Sequence, residues 1–179
     1  MRILTIFLIL FLTLSGCITY NEYSCYYGRV VKVVDGDTVY VLVNGELWKI
    51  RLLGVDTPEI SKENNPYEYI LYNGTPITNL TYLKFWGERA KEFAYKKLYG
   101  KEVKIVFDPL APRKDRYGRY LAYIYYKKGD KWVNFNEELI KYGYARVYRT
   151  RFKMLHEFLM LEEEAKKNRV GLWKGQLMP

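Results

Sequence analysis

Along residues 29–54, "RVVKVVDGDTVYVLVNGELWKIRLLG", apolar and polar positions alternate with the period of two expected of strands with one buried face. The alternation is interrupted by Asp35-Gly36 and by Asn44-Gly45, and the second pair is the favoured sequence of a two-residue hairpin turn. The pattern predicts strands at about 29–35, 38–43 and 46–54, joined as a meander. Residues 60–80, "ISKENNPYEYILYNGTPITNL", carry no period and hold Pro66, Gly74 and Pro76, which predicts an exposed loop. From Thr81 to Leu98, Leu83, Trp86, Ala90, Phe93 and Leu98 recur near the helical period, and Gly100 ends the run.

Two further strands are expected in "EVKIVFD" (102–108) and "YLAYIYY" (120–126). Asn134 ahead of "FNE", with Glu137 three residues on, has the form of a capping box, and Gly143 closes that second helix. A third helix is expected from about Thr150 to Lys167, with "GLW" at 171–173 packed back on the domain. Short strands with helices after the third and the last predict a mainly β, α+β domain. The expected architecture is a five-stranded oligonucleotide-binding-type barrel with three helices. Such barrels host many functions, so function has to be read from side chains.

The first sixteen residues, "MRILTIFLILFLTLSG", set one Arg before an apolar run from Ile3 to Leu14 and then small residues. That is the layout of a secretory signal, too short for a comfortable membrane span. "LSGC" (14–17) resembles the lipobox at which prokaryotic lipoproteins are cut and lipidated, making Cys17 the expected lipidation site. The chain is therefore expected to be exported and anchored to the membrane facing outside, with plain secretion as the alternative. Residues 17–28 read as a tether, 29–174 as the folded domain and 175–179 as a tail. Cys25 is the only other cysteine, a lone thiol if Cys17 is lipidated and its disulfide partner if not. Asn73-Gly74-Thr75 and Asn79-Leu80-Thr81 are acceptor patterns for N-glycosylation in an exposed loop.

Charge narrows the partners. Lys and Arg number 29 against 20 Asp and Glu, a net +9 that favours polyanions, nucleic acid ahead of an anionic membrane. Three stretches carry candidate chemistry: "VDGDT" (34–38), "RLLGVDTPE" (51–59) and "DRYGR" (115–119). With Asn44-Gly45 as the turn, Thr38 lies opposite Arg51, so Asp37 and Asp56 gather at one end of the hairpin. Two carboxylates converging there repel unless a cation sits between them. The chain has a single histidine, His156, and no cysteine set near these acids, so a soft metal is excluded. Hard oxygen ligands point to Ca2+ or Mg2+, with Asp37, Asp56 and the Thr57 carbonyl as ligands and water completing the shell. Asp35 reads as a turn former.

Arg51 and Arg119 supply planar forks for phosphoryl oxygens, and Glu59, after Pro58, is the one acid placed to activate water. "DGDTV", "RLLGVDTPE" and "DRYGRYLAY", in this order, resemble the staphylococcal-nuclease-like thermonucleases over about Val30 to Trp173, with "GYA" (143–145) and "GLW" included. The resemblance implies Ca2+-dependent endonucleolytic hydrolysis of DNA and RNA, single strands preferred, leaving 3′-phosphates. It assigns Asp37, Asp56 and Thr57 to the metal, Arg51 and Arg119 to phosphate, Glu59 to the general base and Tyr117 to the nucleotide site. A monomer is expected.

Two features depart from the family. The 60–80 loop is longer than in compact members. The tyrosine-bearing stretch before the last helix reads "ARVYRTRF" here, so Tyr148 is shifted by about one position and Arg149 takes its place. The alternative function is a barrel that holds nucleic acid without cutting it. Such a chain is expected to lose the base, a carboxylate or an arginine, and here all of them remain.

Overall fold

The computed structural model describes residues 25–175. The leader and Cys17 therefore lie outside the described residues. Strands β1 (Cys25–Val33), β2 (Thr38–Val43) and β3 (Glu46–Leu52) form the expected antiparallel meander, with Val43 opposite Glu46 and Thr38 opposite Arg51. Helix α1 (Leu80–Leu98) follows, then β5 (Glu102–Val106) and β6 (Tyr120–Lys128), which pair antiparallel with each other, and β5 pairs with β1. A parallel contact of β3 with β6, Ile50 opposite Tyr120 and Arg51 opposite Leu121, closes these five strands into a barrel. Helices α2 (Phe135–Lys141) and α3 (Leu155–Lys167) complete the α+β architecture.

Three short strands were below the length at which periodicity speaks. β4 (Val55–Asp56) pairs with β8 (Arg146–Val147), and β7 (Lys131–Asn134) extends the sheet beside β6. β4 exists because Gly54, at φ +75°, ends β3 and turns the chain. A Cβ there would also meet the Phe152 ring at 2.5 Å, so the loop before α3 packs directly on this glycine.

The inner face of the barrel is aliphatic and aromatic, with Val30, Val39, Val41, Ile50, Val103, Ile105 and Ile124 fully buried. The sequence boundaries need correcting in two places. The expected tether contributes Cys25 to Gly28 to β1, because Tyr26 packs on Trp48 and Phe107, with ring centroids at 5.1 and 5.8 Å. The third helix starts at Leu155, since Phe152 is drawn into the core ahead of it. Glu137 accepts from the Asn134 side-chain amide at 2.8 Å, while Asn134 Oδ1 caps α2 by accepting from the Asn136 N–H at 3.0 Å.

The 60–80 segment departs most from expectation. It builds a second, satellite core in which Tyr69 and Ile77 are buried with Tyr82 and Leu83 of α1, Ala165 of α3, and Leu172 and Trp173. The "GLW" stretch thus packs on the domain through this cluster, as a 3-10 turn at Gly171–Lys174. Asn73 is exposed, whereas the Asn79 side chain caps α1, accepting from the Tyr82 N–H at 3.0 Å.

Candidate active site

Asp37 owes its position to three causes, one of them local. Asp35 Oδ1 accepts from the Asp37 N–H at 3.2 Å, the side-chain turn expected of Asp before Gly. Gly36 lies so close to α1 that a Cβ would meet Ala90 Cβ at 2.6 Å and Thr57 Cγ2 at 2.7 Å. Thr57 then fixes the carboxylate, its N–H and hydroxyl donating to Asp37 Oδ2 at 2.8 and 3.0 Å. The Thr38 hydroxyl donates to Oδ1 at 3.1 Å. Asp37 and Thr57 are both buried.

Arg51 stands between the two acids. Its Nη1 is in contact with Asp37 Oδ1, and its Nη2 donates to Asp56 Oδ1 at 2.5 Å. The cation that relieves carboxylate repulsion in the protein alone is therefore this guanidinium. The other oxygen of Asp56, Oδ2, is held by Arg146 Nη2 at 2.8 Å, across the β4–β8 pair where Asp56 faces Arg146. Arg146 also pairs with Glu68 at 2.7 Å and lies over the Tyr69 ring at 5.6 Å. Burial acts to lower its pKa, but the charge of Asp56, then Tyr69 and Glu68, outweighs burial and raises it. Tyr69 is pushed above the ordinary tyrosine range by burial and by the Asp56 charge.

On the facing turn, Asp115 Oδ1 accepts from the N–H groups of Tyr117 and Arg119 at 2.9 and 3.0 Å, and its Oδ2 accepts from Arg119 Nε at 2.7 Å. Burial acts to raise the Asp115 pKa, but these bonds and the Arg119 charge prevail and hold it below the usual carboxylate range. Arg119 is thus oriented through Nε, leaving its Nη edge for another partner. Tyr117 is exposed, with the Arg116 and Arg119 guanidinium groups 4.9 and 5.4 Å from its ring centre.

Glu59 is exposed, yet its backbone is clamped. Its N–H donates to Asn64 Oδ1 at 2.7 Å, and the Asn64 amide donates back to its carbonyl at 2.9 Å. α1 supports the same segment at Gly87, where a Cβ would meet the Pro58 carbonyl oxygen at 2.4 Å.

These elements enclose a cavity of about 540 Å³ whose walls include Asp37, Arg51, Thr57, Glu59, Tyr117 and Arg119. Asp56 is not among its walls; it contacts Arg51, which is. Tyr148 is half-exposed and lines an adjoining cleft of about 470 Å³ with Arg51, Tyr117 and Arg119. Arg149 is exposed and lies in neither; it faces a third groove beside α3. Among the described residues Cys25 has no disulfide partner and is exposed, and His156 is exposed on α3, away from the cavity.

Among the described residues no group of three or more His, Cys, Asp or Glu side chains is arranged to hold a metal. Two carboxylates and a backbone carbonyl fit a hard cation whose remaining ligands are water, and they fit no thiolate- or imidazole-seeking metal. A cation held by these residues would compete with Arg51, which contacts Oδ1 of both Asp37 and Asp56. Sequence reasoning missed Arg146, Asn64 and Asp115, which hold Asp56, Glu59 and Arg119 in place. Asp115 is inside a motif the sequence displays, but nothing in the sequence pairs Arg146 with Asp56.

The staphylococcal nuclease homologue family matches residues 49–175. An uncharacterized protein of Methanocaldococcus jannaschii is 58% identical over 194 residues, covering 96% of this chain and 94% of its own length. A thermonuclease of Staphylococcus hyicus is 33% identical over 149 residues, 82% of this chain and 75% of its own. Endonuclease YncB of Bacillus subtilis is 32% identical over 148 residues, 79% of this chain and 59% of its own. Barrel, motif order and these likenesses over most of the chain agree, and the chain belongs to the staphylococcal nuclease family.

Proposed function

We propose that the protein is a Ca2+-dependent endonuclease that hydrolyses phosphodiester bonds of DNA and RNA, single strands preferred, to 3′-phosphate products. The observation that carries this reading is the gathering of Asp37, Arg51, Thr57, Glu59 and Arg119 on the walls of one cavity. Asp37, Asp56 and the Thr57 carbonyl are the residues that would hold Ca2+. When bound, the ion supplies positive charge to the carboxylates and to the phosphoryl oxygens.

Glu59 takes the proton of a water whose oxygen attacks phosphorus. The new P–O bond forms as the bond to the 5′-oxygen breaks, and the departing alkoxide takes its proton from solvent. Arg119 presents its Nη edge to a phosphoryl oxygen while Asp115 holds Nε. Arg51 offers the second fork once its carboxylate partners are otherwise neutralised. Two guanidinium groups facing the charge that builds on phosphorus are worth far more in a partly dry cavity than in water. The exposed Tyr117 ring beside them is placed for a base.

The test is cleavage of single- and double-stranded DNA and RNA by the purified protein with Ca2+, Mg2+ or chelator. Cutting with Ca2+ that stops with chelator is expected. Arg51→Ala or Arg119→Ala should lower turnover roughly 100- to 1,000-fold, and Glu59→Gln about 100- to 10,000-fold. Undiminished cutting in excess chelator overturns the metal assignment. Binding without cleavage under every condition overturns the nuclease in favour of a nucleic-acid-holding barrel.

A further inference from the structure

Arg149 and the 60–80 segment meet at a groove that the cleavage chemistry leaves unused. It has a volume of about 930 Å³ and runs between residues 67–72 and α3, with Tyr67, Tyr72, Arg146, Tyr148, Arg149 and Lys166 among its walls. Tyr67, Tyr72 and Tyr148 are 74%, 58% and 52% exposed, three tyrosines in one groove with their rings facing water. Such rings are costly to leave in solvent, and a cluster of them is a feature that core packing does not explain.

The frame beneath them is firm. Tyr69 and Ile77 anchor the segment in the satellite core, Ile70 and Pro76 pair across its base, and Asn65 Oδ1 accepts from the Tyr67 N–H at 3.2 Å. The groove is also continuous with the candidate active site. Tyr148 lines both it and the cleft that contains Arg51, Tyr117 and Arg119, and those three line the catalytic cavity in turn. One surface track leads from the candidate reacting centre to Tyr67 and Tyr72, the two exposed tyrosines of the 60–80 segment.

Charge decides what the track binds. Arg146, Arg149 and Lys166 line the groove together with Glu68, Glu162 and Glu163. Glu68 is paired with Arg146 at 2.7 Å and Glu162 with Lys166 at 3.2 Å. Positive and negative groups therefore balance, which is the wrong composition for tracking phosphates and leaves the aromatic rings as the attractive element. Stacking accepts any base and needs no counter-ion release.

We propose that this groove is a stacking subsite for bases of the unpaired strand beyond the reacting phosphate, with Tyr67 and Tyr72 as its platforms. The inference rests on the nuclease reading above and gives the enzyme a preference for longer single strands. The test compares KM and kcat on a single-stranded oligonucleotide of about twelve nucleotides and on a dinucleotide, with Ca2+ present. The variants are Tyr67→Ala/Tyr72→Ala and the conservative Tyr67→Phe/Tyr72→Phe.

The alanine pair should raise KM for the long strand at least about 5-fold, leaving kcat and the dinucleotide KM unchanged. The phenylalanine pair should restore the original KM, and the dependence of KM on salt should be the same in all forms. An equal KM change on both substrates, no change on either, or a flatter salt dependence in the alanine pair overturns the subsite. Native protein that cuts neither substrate overturns the nuclease reading itself. Native protein that cuts both with equal KM overturns the subsite alone.

Discussion

Arg146→Met removes the guanidinium that ties β8 to Asp56 and to the 60–80 segment while keeping most of the apolar stem. Its Nη2 donates to Asp56 Oδ2 at 2.8 Å, to a side chain only 19% exposed, and a charged hydrogen bond in such a place contributes about 1.5–3 kcal/mol. Asp56 keeps Arg51, which puts the loss toward the lower end. The contact with the buried Tyr69 ring at 5.6 Å adds about 0.5–1 kcal/mol. The Glu68 side chain is 44% exposed and returns to water, so that ion pair is worth only about 0.5 kcal/mol. Together the variant should lose roughly 2–4 kcal/mol in urea unfolding, read as a lower midpoint at unchanged slope. Glu68→Gln alone should lose about 0.5 kcal/mol. The double variant should match Arg146→Met, because the small Glu68 contribution has already gone with its partner. If Glu68→Gln costs as much as Arg146→Met, or if the two losses simply add, Arg146 is not the hub of this cluster.

Other expectations follow from the same coordinates. Ile77→Ala, at a fully buried position of the satellite core, should cost about 2–5 kcal/mol and open residues 60–78 to hydrogen exchange and proteolysis before the barrel; simultaneous opening of both cores would refute their separateness. Asp115 has a depressed pKa, so the stability it contributes is present above the ordinary carboxylate value and disappears as pH falls through the folded value. Asp115→Asn should therefore remove part of the acid-side loss of stability seen in pH-dependent unfolding and lower turnover by freeing Arg119. Gly36→Ala forces a Cβ to 2.6 Å from Ala90 and should cost about 1–3 kcal/mol while displacing Asp37 from Thr57, measurable as weaker Ca2+-induced stabilisation. We also propose export and lipid anchoring through Cys17; Cys17→Ser should release the protein from membranes, and retention of that variant would overturn the lipid anchor.

What the sequence could and could not convey divides along the range of the interactions involved. The Asn44-Gly45 turn fixes the β2–β3 register, so Thr38 opposite Arg51 follows from counting alone. The orientation of Asp37 does not, because it depends on Thr57, twenty residues on, and on the closeness of α1 to Gly36. Closure of the barrel by the parallel β3–β6 contact leaves no local signature, although it is what aligns Arg51 with Leu121, two residues beyond Arg119. β4 and β8 are each two residues long, too short for any periodicity, yet their pairing sets Arg146 against Asp56.

The 60–80 segment read as an exposed loop because Tyr69 and Ile77 are eight residues apart, separated by polar and turn-forming residues. Its burial is paid for by side chains from α1, α3 and the 171–174 turn. A segment with its own anchors, tied through Arg146 to a candidate metal carboxylate, is more than a tolerated insertion: on the proposed reading it would alter strand binding at Tyr67 and Tyr72 while leaving the barrel residues of the candidate site as they are. On the proposed reading, substrate length preference and bond cleavage would be carried by different parts of the chain and should respond separately to mutation.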